Sequence, residues 1–172
     1  MYHKREPFKK YERGEKLKEL FKQYRQVGET SAEQTSMKNV LKRAEKLLKK
    51  QSKEERVRTR YLISLIRHAQ GNEKELIKQA EKIYEDHESI YESSKNFSAY
   101  PVFEKVARMI ILNYEPQKVV KHLKKGSKFT RQLSGIALSM NLDWEKEKHY
   151  NKIFMPLKSK FEDVRAYDSG EW

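Results

Sequence analysis

Lys118, Lys121, Lys125 and Lys128 recur at spacings of three, four and three, with Lys124 and Arg131 beside them and Gly126 among them. Ammonium and guanidinium groups at that density suit one kind of chemistry. They hold phosphate oxygens and displace the counterions condensed on a polyanion. Pro116 can open a short helix ahead of Gly126, with Val119, Val120 and Leu123 inside, and the stripe Phe129, Leu133, Ile136, Ala137 follows the glycine. Residues 116–141 therefore have the outline of a helix-turn-helix. In that geometry Lys118, Lys121 and Lys125 share a face of the first helix. The second helix presents Lys128, Thr130, Arg131, Gln132 and Ser134 from its N-terminal half. Arginine suits guanine edges, glutamine suits adenine, and lysines and hydroxyls suit phosphates, so Thr130 and Gln132 are the candidates for base readout. The fine spacing fits less well. With Gly126 at the turn, Lys121 and Lys125 fall where such a motif buries apolar residues in its first helix, and Gln132 where it buries one in its second. The plain counterpart is a helical hairpin whose solvated face is rich in lysine.

A second basic block surrounds the apolar stripe Met37, Val40, Leu41, Ala44, Leu47 and Leu48. Lys38, Lys42, Arg43 and Lys46 lie on its polar side with Lys49 and Lys50, and Arg56, Arg58 and Arg60 follow at once. Ahead of them Lys4, Arg5, Lys9, Lys10 and Arg13, interleaved with Phe8 and Tyr11, form a basic arm of the sort that tracks a groove. Residues 1–60 hold 19 basic and 9 acidic side chains, and residues 101–142 hold 8 against 2, so the net charge of +13 is concentrated in two blocks. Such blocks repel unless a polyanion compensates them, and nucleic acid is the commonest one.

Other chemistry is poorly supplied. Glu81, Glu85, Glu88 and Glu92 form one carboxylate face, but a di-iron bundle needs Glu-x-x-His pairs on separate helices, and none occurs. That face reads as solvated, or as an acidic surface that docks on a basic block of this chain or of a partner. His3, His68, His87, His122 and His149 lack metal-ligand spacing, and with no cysteine, thiolate zinc sites, thiol nucleophiles and disulfides are excluded. Neither a Gly-rich phosphate loop nor a Gly-x-Ser-x-Gly elbow is present. The expectation is no catalysis, no cofactor and no metal.

The elements that must position these residues read as helices throughout. Leu17, Leu20, Phe21, Tyr24 and Val27 repeat at helical spacing up to Gly28. Thr30-x-x-Glu33 or Ser31-x-x-Gln34 can box the next helix, and Ser52-x-x-Glu55 the third, which Gly71 closes. Asn72 caps a fourth helix, Pro101 starts a fifth, Pro116 a sixth, a seventh runs from Phe129, and Asp143 caps an eighth. The fold class expected is all-α, seven to eight amphipathic helices in one compact helical domain, with the break at 93–100 as the one point where two small subdomains would join. The regions so defined are 1–92, with the basic arm, and 93–172, with the 116–141 hairpin.

These readings lead to a small basic nucleic-acid-binding protein, a DNA-binding regulatory or transcription and replication accessory factor, with DNA ranked before RNA. The competing class is a helical adaptor or inhibitor that binds a protein partner through Glu81, Glu85, Glu88, Phe97 and Tyr100. No membrane partner is expected, because the longest near-continuous apolar stretch, Tyr61–Ile66, is interrupted by Ser64 and is too short to span a bilayer. The N-terminal residues lack an apolar signal region, which suits an intracellular protein, cytoplasmic or nucleoid-associated. No heptad seam sets an oligomeric state.

Overall fold

The computed structural model describes residues 14–27, 31–93 and 99–140. The basic arm, Phe97, the capping candidate at Thr30 and the eighth helix expected from Asp143 lie outside the described residues, whereas Ser31, the other capping candidate, is the first residue of the second helix. Among those described, the chain is all-helical. The elements are α1 (Glu15–Gln26), α2 (Ser31–Leu48), α3 (Lys53–Ala69), α4 (Glu73–Ser93), α5 (Tyr100–Asn113), α6 (Pro116–Val119), a 3-10 turn (Val120–His122) and α7 (Lys128–Ser139). The chain divides into two compact units, Met1–Val106 and Ala107–Trp172.

In the first unit α3 is the central element. Its buried residues, Val57, Thr59, Tyr61, Leu62, Ile63, Ser64 and Ile66, go most of the way round the helix, as expected of one enclosed by neighbours rather than laid on a surface. The capping box starts it: the Ser52 hydroxyl accepts from the Glu55 amide while the Glu55 carboxylate accepts from the Ser52 amide at 3.1 Å. That exchange satisfies two of the amides a helix start leaves open. It also holds the Glu55 carboxyl below its usual range, through the backbone hydrogen bond first.

Gly71 ends α3 and turns the chain into α4. Its φ is +68°, its amide donates to the His68 carbonyl, and the Asn72 amide reaches back to Arg67, each at 2.9 Å. This is the paired closure of a Schellman motif. Asn72 then caps α4 by accepting from the Glu75 amide at 3.3 Å. A Cβ at Gly71 would meet nothing within 4 Å, so the requirement for glycine there is conformational rather than steric. Gly71→Ala is expected to lower stability by about 1–2 kcal/mol, the cost of a left-handed residue with a side chain, seen as a reduced urea midpoint with unchanged slope.

The hairpin of α3 and α4 is antiparallel and is joined along one side by polar contacts. Lys53 Nζ donates to Ser89 Oγ at 2.6 Å, and Arg56 Nη2 to Asp86 Oδ1 at 3.0 Å. Arg60 Nε lies 3.5 Å from Asp86 Oδ2, and Arg60 Nη1 donates to Gln79 at 3.3 Å. Thr59 and Ser64, both buried, donate to Gln51 Oε1 and to the Arg60 carbonyl, at 2.7 Å each.

Beyond this seam, four rings tie α4 to the start of α5. Tyr84 packs on Phe103 with centroids 5.1 Å apart, Phe103 on Tyr100 at 5.6 Å, Tyr100 on His87 at 5.3 Å, and His87 on Tyr84 at 5.9 Å. All four contacts are tilted, the arrangement that ring quadrupoles favour.

Burial pushes the His87 imidazole below its ordinary pKa, with Glu88 pulling partly back, and burial alone does the same to His68. Both rings are easier to protonate when the chain is unfolded. Their contribution to stability is therefore complete above the unfolded value of about 6.5 and declines as pH falls from there towards the folded values. The expected result is a lower urea midpoint at pH 5.5 than at pH 7.5, with a smaller difference in His87→Phe, which keeps a ring in the cluster but cannot titrate.

In the second unit, Ala107, Ile110 and Ile111 are buried on α5, Val119 on α6, and Phe129, Leu133, Ile136 and Ala137 on α7. Among the described residues Leu112 is the large apolar side chain left exposed, at 58%.

Candidate nucleic-acid interface

Gly126 and Ser127 set the geometry of the strongest basic cluster. Gly126 takes φ +86°, and the Ser127 hydroxyl caps α7 by accepting from the Thr130 amide at 3.1 Å. The same hydroxyl donates to Thr130 Oγ1 at 2.7 Å, and Thr130 Oγ1 donates to the Lys124 carbonyl at 2.6 Å. The backbone of Lys124 is thus tied to the first turn of α7, so the lysines leave the turn from a fixed base.

Lys118, Lys121, Lys124, Lys125 and Lys128 are all exposed. Lys118, Lys121, Lys124 and Lys125 take part in no ion pair among the described residues. The N-terminal end of α7, where unpaired amides concentrate partial positive charge, lies in the same turn.

Two expectations for this segment need correction. Thr130 was a candidate for base readout, yet it is 0% exposed and both its hydroxyl and its amide are engaged inside the turn. It builds the turn and cannot reach a base. Ser134, named with it, is also fully buried. The other concerns the helix before the turn. It is one α-helical turn, Pro116–Val119, continued as a 3-10 turn to His122, so Lys118, Lys121 and Lys125 do not share a helical face. The chain leaves helical geometry at Leu123, which is extended at φ −98° and ψ 135°, three residues before Gly126. Arg131 and Gln132 are half-buried on α7, which leaves Gln132 the remaining candidate for a base edge.

On α2 the expected cations are all at the surface. Lys38, Lys42, Arg43 and Lys46 are exposed, while Met37, Val40, Leu41 and Ala44 are buried. Helical geometry puts Lys38 and Lys42 on one outward line and turns Arg43 towards the α1 side. The remainder of that block behaves otherwise. Arg56 and Arg60 point into the α3–α4 seam, and burial lowers the Arg60 pKa against the pull of Asp86.

The acidic face of α4 divides too: Glu85 is exposed, Glu81 and Glu88 are half-buried, and Asp86 is the carboxylate that docks on a basic block of the same chain. Tyr100 is half-buried in the ring cluster.

A groove between α1 and α2 had no counterpart in the sequence reading. It holds two wells, of about 580 Å³ and 270 Å³. Lys16, Arg43, Lys46 and Lys50 rim the larger, with Glu15 and Glu19 on its α1 side and Leu20 and Leu47 as its apolar part. Gln26, Ser36 and Asn39 line the smaller, with Val27 and Val40. Gln23 and Arg43 line both wells, and Arg43 Nη1 donates to Gln23 Oε1 at 2.8 Å across the groove. Those residues are twenty apart in sequence, and no local pattern links them before the helices pair.

Comparison with known proteins gives no relative. No protein-family model, curated protein or solved structure matches this chain. Among the described residues, no helix is long and apolar enough to cross a membrane.

Proposed function

We propose that this protein binds nucleic acid by electrostatic docking of its exposed lysines, as a DNA-binding regulatory or accessory factor that performs no catalysis of its own. The observation that carries the reading is the charge of residues 107–140. They hold seven Lys and Arg and one acid, Glu115, with five exposed lysines set round a turn pinned by Ser127 and Thr130. A solvated face needs solubility alone, which mixed charges provide. Near-exclusive positive charge stores self-repulsion that a polyanion relieves on binding. The exposed lysines of α2 offer a second surface of the same sign, whereas Arg56 and Arg60 are engaged internally and add nothing to it.

Phosphate contacts of this kind hold the partner without reading its sequence. Gln132 and Arg131, both half-buried on α7, are the groups that would add base preference, so sequence selectivity should be modest. The test is fluorescence anisotropy of the purified chain with mixed-sequence duplex, single-stranded DNA and RNA, titrated from low to physiological salt. Binding that weakens linearly on a double-logarithmic salt plot supports the reading. No binding at low salt to any of the three overturns it and returns the basic surfaces to an acidic protein partner.

A further inference from the structure

We propose that the groove between α1 and α2 receives a segment of single-stranded nucleic acid, with one unstacked nucleotide seated in its larger well. The inference rests on the nucleic-acid reading above and adds to it the form of the polymer and the place it enters.

The larger well, at about 580 Å³, falls in the range of small-ligand sites, about 300–1,000 Å³. It offers two kinds of surface. Leu20 and Leu47 present methyl groups to the flat face of a base, and Arg43, Lys46 and Lys50 present cations to phosphate. Arg43 and Lys46 lie at i and i+3 on α2 and Lys50 follows just past its end, so the cations are spread along the well in the way an extended strand needs to pass from one phosphate to the next. Past the Arg43–Gln23 bar, the smaller well supplies Gln26 and Asn39. Their amides donate and accept together, as the edges of an unpaired base require.

The alternatives fit less well. A duplex is too broad to enter between two helices packed about 8–10 Å axis to axis; it would rest on the rim and leave both wells unused. An acidic polypeptide would satisfy the cations, and would meet Glu15 and Glu19 as a phosphate would, but it would leave the amides of the second well without purpose. Among the described residues no aromatic ring lines either well, so these residues offer no stacking of the usual strength and their grip on each base is modest.

The experiment compares a short oligothymidylate with a blunt duplex of equal length on the full chain at fixed 0.1 M salt, with poly-glutamate as competitor. The variants are Leu47→Glu, which puts a carboxylate where the base face rests, and Lys46→Glu with Lys50→Glu, both at exposed positions. The charge-reversal pair gives the answer if the first variant fails to fold by circular dichroism. Each is expected to weaken oligothymidylate binding about tenfold or more, the worth of one or two phosphate contacts at this salt, with a several-fold smaller loss for the duplex, which keeps the lysines of residues 118–128. Unchanged oligothymidylate binding in the groove variants, with its loss in Lys124→Glu, Lys125→Glu, would overturn the groove inference and leave the broader reading standing. Displacement by poly-glutamate as effective as by unlabelled oligothymidylate would assign the groove to an acidic polypeptide instead. Wild-type chain that binds neither probe removes both readings together.

Discussion

Changing Lys124 and Lys125 together to glutamine is expected to lower duplex affinity about 60-fold at 0.1 M salt and to flatten the salt dependence by about two logarithmic units per decade. The magnitude follows from counterion release. Each phosphate neutralised by a protein cation contributes about 0.9 to the slope of log affinity against log salt, so at 0.1 M, one decade below 1 M, each contact is worth about eightfold and two are worth its square. The substitution tests charge and little else. Both residues are exposed, and the pinned turn uses the Lys124 carbonyl, the Ser127 hydroxyl and the Thr130 hydroxyl, not the lysine side chains. Fold and melting temperature should stay within error of the parent.

Arg131 is a poorer choice for this test because it is half-buried on α7, and a loss of affinity there would mix packing with charge. Anisotropy at several salt concentrations separates the outcomes. A parallel shift without change of slope would mean that the two lysines do not touch phosphate. An unchanged affinity would move the interface to α2, where Lys38→Gln with Lys42→Gln then carries the same expectation.

The sequence was most legible where one short segment sets its own geometry. Ser52 and Glu55 announce the start of α3, Gly71 and Asn72 announce the α3–α4 turn, and each does in the structure what its local chemistry requires. The apolar stripes named the buried faces of α2 and α7 for the same reason, since period 3.6 is a local property.

The site was less legible because side-chain roles depend on which helices meet. Thr130 has the composition of a base reader, and the three-residue step back to Ser127 makes it the lock of a turn. Arg56 and Arg60 look like the continuation of a basic block until α4 folds beside them. One further signal was present in the numbering. Arg56 and Asp86 each lie fifteen residues from Gly71, and Lys53 and Ser89 each eighteen, so a hairpin closed at that glycine brings each pair together. The groove between α1 and α2 has no such mark, because the loop joining those helices does not fix which of their faces oppose.

Asp86→Ala is expected to be among the most damaging single substitutions in the chain, at about 3–5 kcal/mol. Asp86 is 11% exposed in its side chain and stands between two guanidinium groups, Arg56 at 3.0 Å and Arg60 at 3.5 Å, themselves 29% and 11% exposed. An ion pair at that depth contributes little net stability when intact, because desolvation of the charges offsets most of their attraction. Removing one partner exposes the whole desolvation cost of the others. Here a single carboxylate serves two cations, so its loss strands both. Burial already disfavours the charged form of Arg60, and Asp86 is the chief group opposing that.

For a chain of this length the loss corresponds to a melting temperature lower by roughly 6–20 °C. Asp86→Asn separates the two parts of the effect. It keeps an oxygen for the Arg56 hydrogen bond and removes only the charge, so it should fall between parent and alanine variant. Arg56→Met with Asp86→Ala supplies the cycle: if the seam works by mutual compensation, the double variant should be more stable than Asp86→Ala alone, because one stranded cation has been removed. A double variant less stable than either single change would show that packing of the arginine stems, rather than charge, holds α3 against α4.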